Sequence, residues 1–247
     1  MHIMLTGHRG YIGSRLLTRL KKENSVVGFD LKDGQDLKTC ELNENFDLII
    51  HLAGKSGVRE SITDPGGYWR NNVEVSKRIF ARYPDTRILY ASSSSAYEPD
   101  LNPYAASKFI VEEAAERYPN TLGMRFHTVY DEKPRKGMFL QKLFDNELEY
   151  VTNHHRDFVH IEDVCDAIEL LIRSTFTGIV DIGSGHPFKV SDFAPDLPIR
   201  LNTPNERSWT CANMDRMKGL GYKPKYSIEK VLTNNKLDNI INFTNGE

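Results

Sequence analysis

The chain has 247 residues, 39% hydrophobic and 27% charged, enough ordinary globular sequence for one large domain or two lobes and unlike a disordered chain. Its net charge of −2, with Lys and Arg scattered rather than blocked, argues against nucleic acid or an anionic membrane as the main partner. Three isolated cysteines exclude a disulfide framework, and no apolar run reaches the roughly 20 residues of a membrane span, so with no basic leader before the first strand the expected setting is a reducing cytoplasm.

"HIMLTGHRGYIGSRLLTRLKK" predicts a short strand, a glycine-punctuated turn and an amphipathic helix with Leu16, Leu17 and Leu20 on one face. "SVVGFD" predicts a second strand ending in Asp30. "FDLIIHLAG" has the continuous apolar run of a parallel strand covered on both faces. "NNVEVSKRIFARY" predicts a helix, "TRILYASS" a strand, "YAASKFIVEEAAERY" a helix and "TLGMRFHTVY" a strand. This alternation predicts an α/β fold with a doubly wound parallel sheet. After about residue 130 it loosens into a polar loop, a helix at "MFLQKLFDN", a strand turning into a helix at "RDFVHIEDVCDAIELLIRS", a strand at "GIVDIGSG" and a closing helix at "SIEKVLTNNKLDNIINF".

Gly7, Gly10 and Gly13 punctuate the turn between the first strand and its helix. A helix N-terminus there offers free N–H groups and a positive dipole end to a pyrophosphate, and glycine lets the backbone come close. Asp30, at the end of the second strand, suits the adenosine ribose hydroxyls and repels a 2′-phosphate, which favours NAD. Arg9, inside the turn, pulls toward NADP, because a guanidinium can pair with that phosphate.

Tyr104 and Lys108 stand four apart on one predicted helix and share a face. A phenol is a poor base at neutral pH, and a nearby ammonium and an oxidised nicotinamide ring are both expected to lower its pKa. The serines of "SSSSAY" end a strand at the carboxyl edge of the sheet, where ligands of α/β folds bind, so a serine hydroxyl is expected beside the phenol. The adjacent His154 and His155 cannot chelate one ion from one face, so no metal is expected and both are read as solvated loop residues. Asp163 reads as a helix cap, and Tyr68, Trp69 and Trp209 as core or interface aromatics.

Over nearly its whole length the sequence resembles the extended short-chain dehydrogenase/reductases, specifically the NAD-dependent epimerase/dehydratase group acting on nucleotide sugars. "TGHRGYIGS" resembles that family's TGxxGxxGS, "HLAG" its HLAA, "YAASK" its YxxxK, "RFHTVY" its RxxxVYG and "RDFVHIEDV" its RDFxxVxDV. The resemblance implies a catalytic set of Ser93, Tyr104 and Lys108, with Tyr104 and Lys108 also touching the dinucleotide. It adds Tyr11, Ile12, Asp36, Leu37, Leu52, Ala53, Gly54 and Asn72 to the cofactor contacts. Ser94 and Ser95 stand where the dehydratases carry Asp-Glu, which argues against dehydration and leaves both as substrate contacts.

"SGVRESITDP" and "GMRFHTVY" are most similar to UDP-glucuronate 4-epimerases, which implies substrate contacts at Arg59, Thr128 and Arg135; Arg156 and Arg207 match positions that grip the nucleotide or its diphosphate. The implied activity is a nucleotide-sugar 4-epimerase acting by transient C4 oxidation with bound NAD, in a homodimer paired through the YxxxK helix and the helix before it. "GHRG" instead resembles the turn of NADP-dependent GDP-fucose synthases, which keeps a 4-keto-6-deoxy-sugar reductase as the alternative, with a non-catalytic dinucleotide binder as another. The expected organisation is a Rossmann domain over 1–130 and a mostly substrate-binding lobe over 131–247, with segments of about 156–185 returning to the sheet. The chain is short for this family, and the losses fall around its third strand and the substrate-side loops.

Overall fold

The computed structural model describes residues 1–201 and 203–234. Its first half runs β1 (His2–Thr6), α1 (Tyr11–Leu20), β2 (Ser25–Phe29), β3 (Leu48–His51), α2 (Val58–Thr63), α3 (Pro65–Tyr68), α4 (Val75–Arg82), β4 (Arg87–Ser93), α5 (Pro103–Ala115) and β5 (Thr121–Phe126). There follow β6 (Thr128–Tyr130), α6 (Phe139–Phe144), β7 (Val151–Thr152), β8 (His155–His160), α7 (Ile161–Ile172) and β9 (Gly178–Ile182). The last elements are β10 (Pro187–Lys189), β11 (Ile199–Arg200), α8 (Asp215–Gly219) and α9 (Ile228–Asn234). The rest of the expected closing helix lies outside the described residues.

Six strands make one sheet in the order β2-β1-β3-β4-β5-β9, with every neighbouring pair parallel. Strand side chains alternate faces, so a sheet covered on both sides needs apolar residues throughout. In β1, Ile3 and Leu5 join the core beneath α1 and α7, while Met4 joins the core beneath α4 and α5. β3 divides Leu48 and Ile50 from Ile49 in the same way. The strand order reverses between β1 and β3, which opens a crevice at their carboxyl ends, the general ligand position of such sheets. Between β2 and β3 the backbone forms a 3-10 turn, Leu31–Asp33, and no strand, so β2 is the sheet edge.

Three local readings change. "TLGMRFHTVY" is two strands: β5 stays in the large sheet, and after His127 β6 pairs with β8 in a separate sheet of order β10-β8-β6. Of the segments over 156–185, α7 packs on α1 and β9 joins the large sheet, whereas β8 does not. "NNVEV" opens as a wide π-helical turn, Trp69–Glu74, before α4, and Ser76 Oγ donates to the Asn72 carbonyl there at 2.6 Å. The small lobe has its own core, including Tyr130, Leu140, Phe158, Phe193 and Leu232. Among the described residues no helix is long and apolar enough to cross a membrane.

Candidate active site

The turn after β1 is built by close backbone contacts. Gly7 has φ +68° and donates to Phe29 O at 2.8 Å, while Gly10 N–H donates to Gly7 O at 2.9 Å. A Cβ on Gly13 would stand 2.1 Å from Gly7 O, so only glycine lets α1 approach the turn this closely. Gly10 caps α1 with no side-chain hydrogen bond, and no acidic residue enters the first turn, which holds Tyr11 and Ile12. The free N–H groups and the positive dipole end therefore face the crevice, suited to a pyrophosphate.

At the end of β2, Asp30 accepts the backbone N–H of Arg9 at 3.0 Å and of Lys32 at 2.9 Å. Asp36 accepts Lys38 N–H at 2.9 Å, which with the Lys38 ammonium holds its carboxyl below the usual range. The Leu37 side chain enters the core with Phe29 and Ile49.

A buried polar chain runs from β1 to the π-helical turn. Ala53 N–H donates to Thr6 Oγ1 at 3.1 Å, and Thr6 Oγ1 meets His51 Nδ1 at 2.7 Å. His51 Nε2 meets Ser76 Oγ at 3.0 Å, and Ser76 donates onward to Asn72 O. Each hydroxyl has one hydrogen to give, so the chain is satisfied by a neutral imidazole with its proton on Nε2. Burial pushes the His51 pKa from 6.5 down to about 3. Below 6.5 the unfolded chain binds this proton and the folded chain does not, so stability is unaffected above that pH and falls as pH drops toward 3. The expected loss from this group is about 2 kcal/mol at about pH 5. Urea midpoints across this range should fall less steeply in His51→Gln; an equal slope would refute the assignment.

The next shell carries Leu52, Ala53 and Gly54 out of β3 to Lys55, whose N–H donates to Asn72 Oδ1 at 2.8 Å. Asn72 Nδ2 in turn donates to Ser107 Oγ at 2.9 Å, tying the π-helical turn to α5. α5 starts sharply because Asn102 accepts the Ala105 N–H at 2.8 Å and Pro103 occupies the first turn.

Tyr104 and Lys108 then project from the same face of α5 toward the end of β4. Ser93, the last residue of β4, is buried, accepts the Ser95 N–H at 3.1 Å and lies near enough to the Tyr104 phenol to favour its charged form. Lys108 Nζ donates to Ala91 O at 2.8 Å and lies 6.0 Å from the Tyr104 ring centroid. Burial pulls the Lys108 pKa down to about 8, and Glu112 opposes that. Burial raises the Tyr104 pKa, and the opposing groups are Ser93 and Arg135 rather than Lys108.

One helical turn beyond Lys108 lies Glu112, which no motif in the sequence marks. Its buried carboxylate takes both forks of Arg125, at 2.8 and 2.7 Å, and the Ser92 hydroxyl. Arg125 lies 4.0 Å from the Tyr97 ring centroid, and Tyr97 OH donates to Asp181 at 3.0 Å. This network locks β4, β5, β9 and α5 together behind Ser93. The signal available in the sequence was the third member of an i, i+4, i+8 row.

Of the residues expected to contact substrate, Arg59 and Arg156 converge with His154 on Glu206, at 3.6, 3.6 and 3.7 Å. Arg207 pairs with Glu98 at 2.7 Å and donates to Ser94 O at 2.7 Å, which brings it beside the serine cluster. Ser94 and Ser95 open the 3-10 turn after β4, and Thr128 starts β6. Arg135 lies on the loop before α6, near enough to Tyr104 to favour its charged form.

The histidines are not solvated: His154 is buried and bonded to Arg156 and Thr203, and His155 packs against Trp209. Asp163 is not the cap of α7, a place taken by His160; it is buried and accepts the N–H groups of Lys225 and Tyr226. Tyr68 is core, whereas Trp69 and Trp209 are exposed. Asp131, Glu132 and His160 gather their ligand atoms within 4.8 Å, but Asp131 pairs with Arg15 at 2.7 Å and His160 with Glu132 at 3.1 Å.

A glycine turn before a helix N-terminus, an acid following the next strand and a Ser–Tyr–Lys set at the sheet's carboxyl edge lie along one crevice. The model of the NAD dependent epimerase/dehydratase family matches residues 3–183, and the chain belongs to that family. It is 30% identical to an uncharacterised protein of Methanocaldococcus jannaschii, over 84% of this chain and 76% of that one. It is 24% identical to a UDP-glucuronate 4-epimerase of Thermodesulfobacterium geofontis, over 87% of this chain and 80% of that one. Among solved structures, MoeE5 in complex with UDP-glucose and NAD superposes with a TM-score of 0.82 at 26% identity, over 97% of this chain and 99% of that one. MoeE5 has also been solved with UDP-glucuronic acid and NAD.

Proposed function

We propose that this protein is a nucleotide-sugar 4-epimerase that works with NAD on a UDP-hexose or UDP-hexuronate. The observation that carries the reading is Tyr104 and Lys108 one turn apart on α5, beside Ser93 at the end of β4 and facing the same crevice as the glycine turn. The residues present fit a dinucleotide: the turn admits only glycine at position 13, α1 begins without a side-chain cap, and Asp30 ends β2. Gly7, Gly10, Tyr11, Ile12 and Gly13 would hold its pyrophosphate, Asp30, Asp36 and Leu37 its adenosine end, and Leu52 to Gly54, Asn72 and Lys108 its nicotinamide half. When bound, NAD supplies a hydride acceptor and donor beside the sugar C4.

In this reading Tyr104 takes the proton of the 4-hydroxyl and returns it after the sugar has turned over in the site. Ser93 would hold the reacting oxygen by hydrogen bond, and Lys108 would help hold the nicotinamide ribose. Burial opposes the phenolate, and Ser93 and Arg135 are the groups that work against that rise. Arg156 and Arg207 bind the diphosphate, with Arg59, Ser94, Ser95, Thr128 and Arg135 around the sugar; Glu206 releases Arg59 and Arg156 to it. The NADPH-dependent reductase alternative leans on Arg9, whose guanidinium is already paired with Asp33.

The test is chromatography of UDP-glucose, UDP-galactose and UDP-glucuronate incubated with the NAD-loaded protein. Interconversion of one C4-epimer pair without net NADH is expected. No epimer from any of them, or one NADH per sugar consumed, would contradict the proposal.

A further inference from the structure

The 3-10 turn after β2 ends at Asp33, a residue the glycine-turn pattern does not include. Asp33 is the meeting point of two side chains from the turn after β1. Its Oδ2 lies 2.9 Å from His8 Nε2, and its Oδ1 pairs with Arg9 Nη1. The two turns are joined further by the Arg9 N–H on Asp30 and by Lys32 Nζ donating to Arg9 O at 3.1 Å. The His8 ring fills the space that a side chain at position 28 would need.

We infer that Asp33 decides between NAD and NADP by keeping the Arg9 guanidinium engaged where a 2′-phosphate would seek it. The inference rests on the proposed dinucleotide site. Arg9 is half-exposed on a flexible stem and stands next to Asp30, the residue placed for the adenosine ribose. Left free, its planar fork suits a phosphate bidentately, which is how an arginine in this turn would recruit NADP. With Asp33 in place, a 2′-phosphate has to displace one carboxylate from Arg9 and then stand beside both Asp30 and Asp33. A 2′-hydroxyl meets neither cost. Arg9 and His8 hold the Asp33 carboxyl below its ordinary range, so its negative charge is present throughout neutral pH.

The experiment is calorimetric titration of NAD and NADP into the full chain, for wild type, Asp33→Asn, Asp33→Ser and the double variant Asp33→Asn/Arg9→Ala. Wild type is expected to bind NAD more tightly. Each single variant is expected to lower the NADP-to-NAD ratio of Kd by about tenfold, equivalent to about 1.4 kcal/mol. Adding Arg9→Ala should restore the wild-type ratio. Tight NAD binding with a ratio that neither single variant moves would overturn this inference alone, as would a gain that survives loss of Arg9. Wild-type protein that binds neither dinucleotide would overturn the dinucleotide site and the inference together.

Discussion

Tyr104→Phe is expected to lower epimerase turnover by about 10²–10⁴-fold, the usual contribution of a general acid–base group. The substitution removes only the phenolic oxygen. The ring keeps its edge contact with Tyr68, at 6.0 Å between centroids, and Lys108 keeps its bond to Ala91 O. Ser93 remains tied to the Ser95 N–H. Dinucleotide affinity depends on the glycine turn and Asp30, so it should change little. Initial rates and NAD titrations on the same preparation separate the two effects. Wild-type turnover in this variant would remove Tyr104 from the chemistry.

The second large effect concerns stability. Arg125→Met strips the Glu112 carboxylate of two charged hydrogen bonds and leaves it buried with the Ser92 hydroxyl. Leaving one buried charge unpaired costs about 3–5 kcal/mol. The methionine also gives up the guanidinium contact with Tyr97. Urea unfolding should show that loss in the single variant and a smaller one in Glu112→Gln/Arg125→Met, because both charges are then gone. A loss below about 1 kcal/mol in the single variant would mean that the pair is dispensable. Because Ser92 and Ser93 are neighbours on β4, weaker turnover in the surviving folded fraction is expected as well.

The sequence makes the scaffold legible where one local rule decides the outcome. Continuous apolar runs at β1, β3 and β4 signal a sheet buried on both sides, and the i, i+4 spacing of Tyr104 and Lys108 places them together without tertiary information. Rules of that kind fail where distant segments meet. "TLGMRFHTVY" reads as one strand because an apolar run looks the same whether it stays in one sheet or passes to another at His127. His51 gains its role from Thr6 and Ser76, far away along the chain, and Glu112 from Arg125 on a different element. Asp33 looks like a solvated turn acid until His8 and Arg9 fold onto it. The burial that raises the Tyr104 pKa is hidden for a related reason: proximity to Lys108 can be read from spacing, but burial cannot.

The most direct test of the account follows the hydrogen at C4. UDP-glucose or UDP-glucuronate deuterated at C4 is incubated with the NAD-loaded protein in ordinary water, and the epimeric product is examined by NMR and mass spectrometry. The account predicts that the deuterium stays on C4 of the inverted sugar, because that hydrogen leaves and returns inside the site while Tyr104 handles only the hydroxyl proton. Product that carries solvent hydrogen at C4 would contradict it.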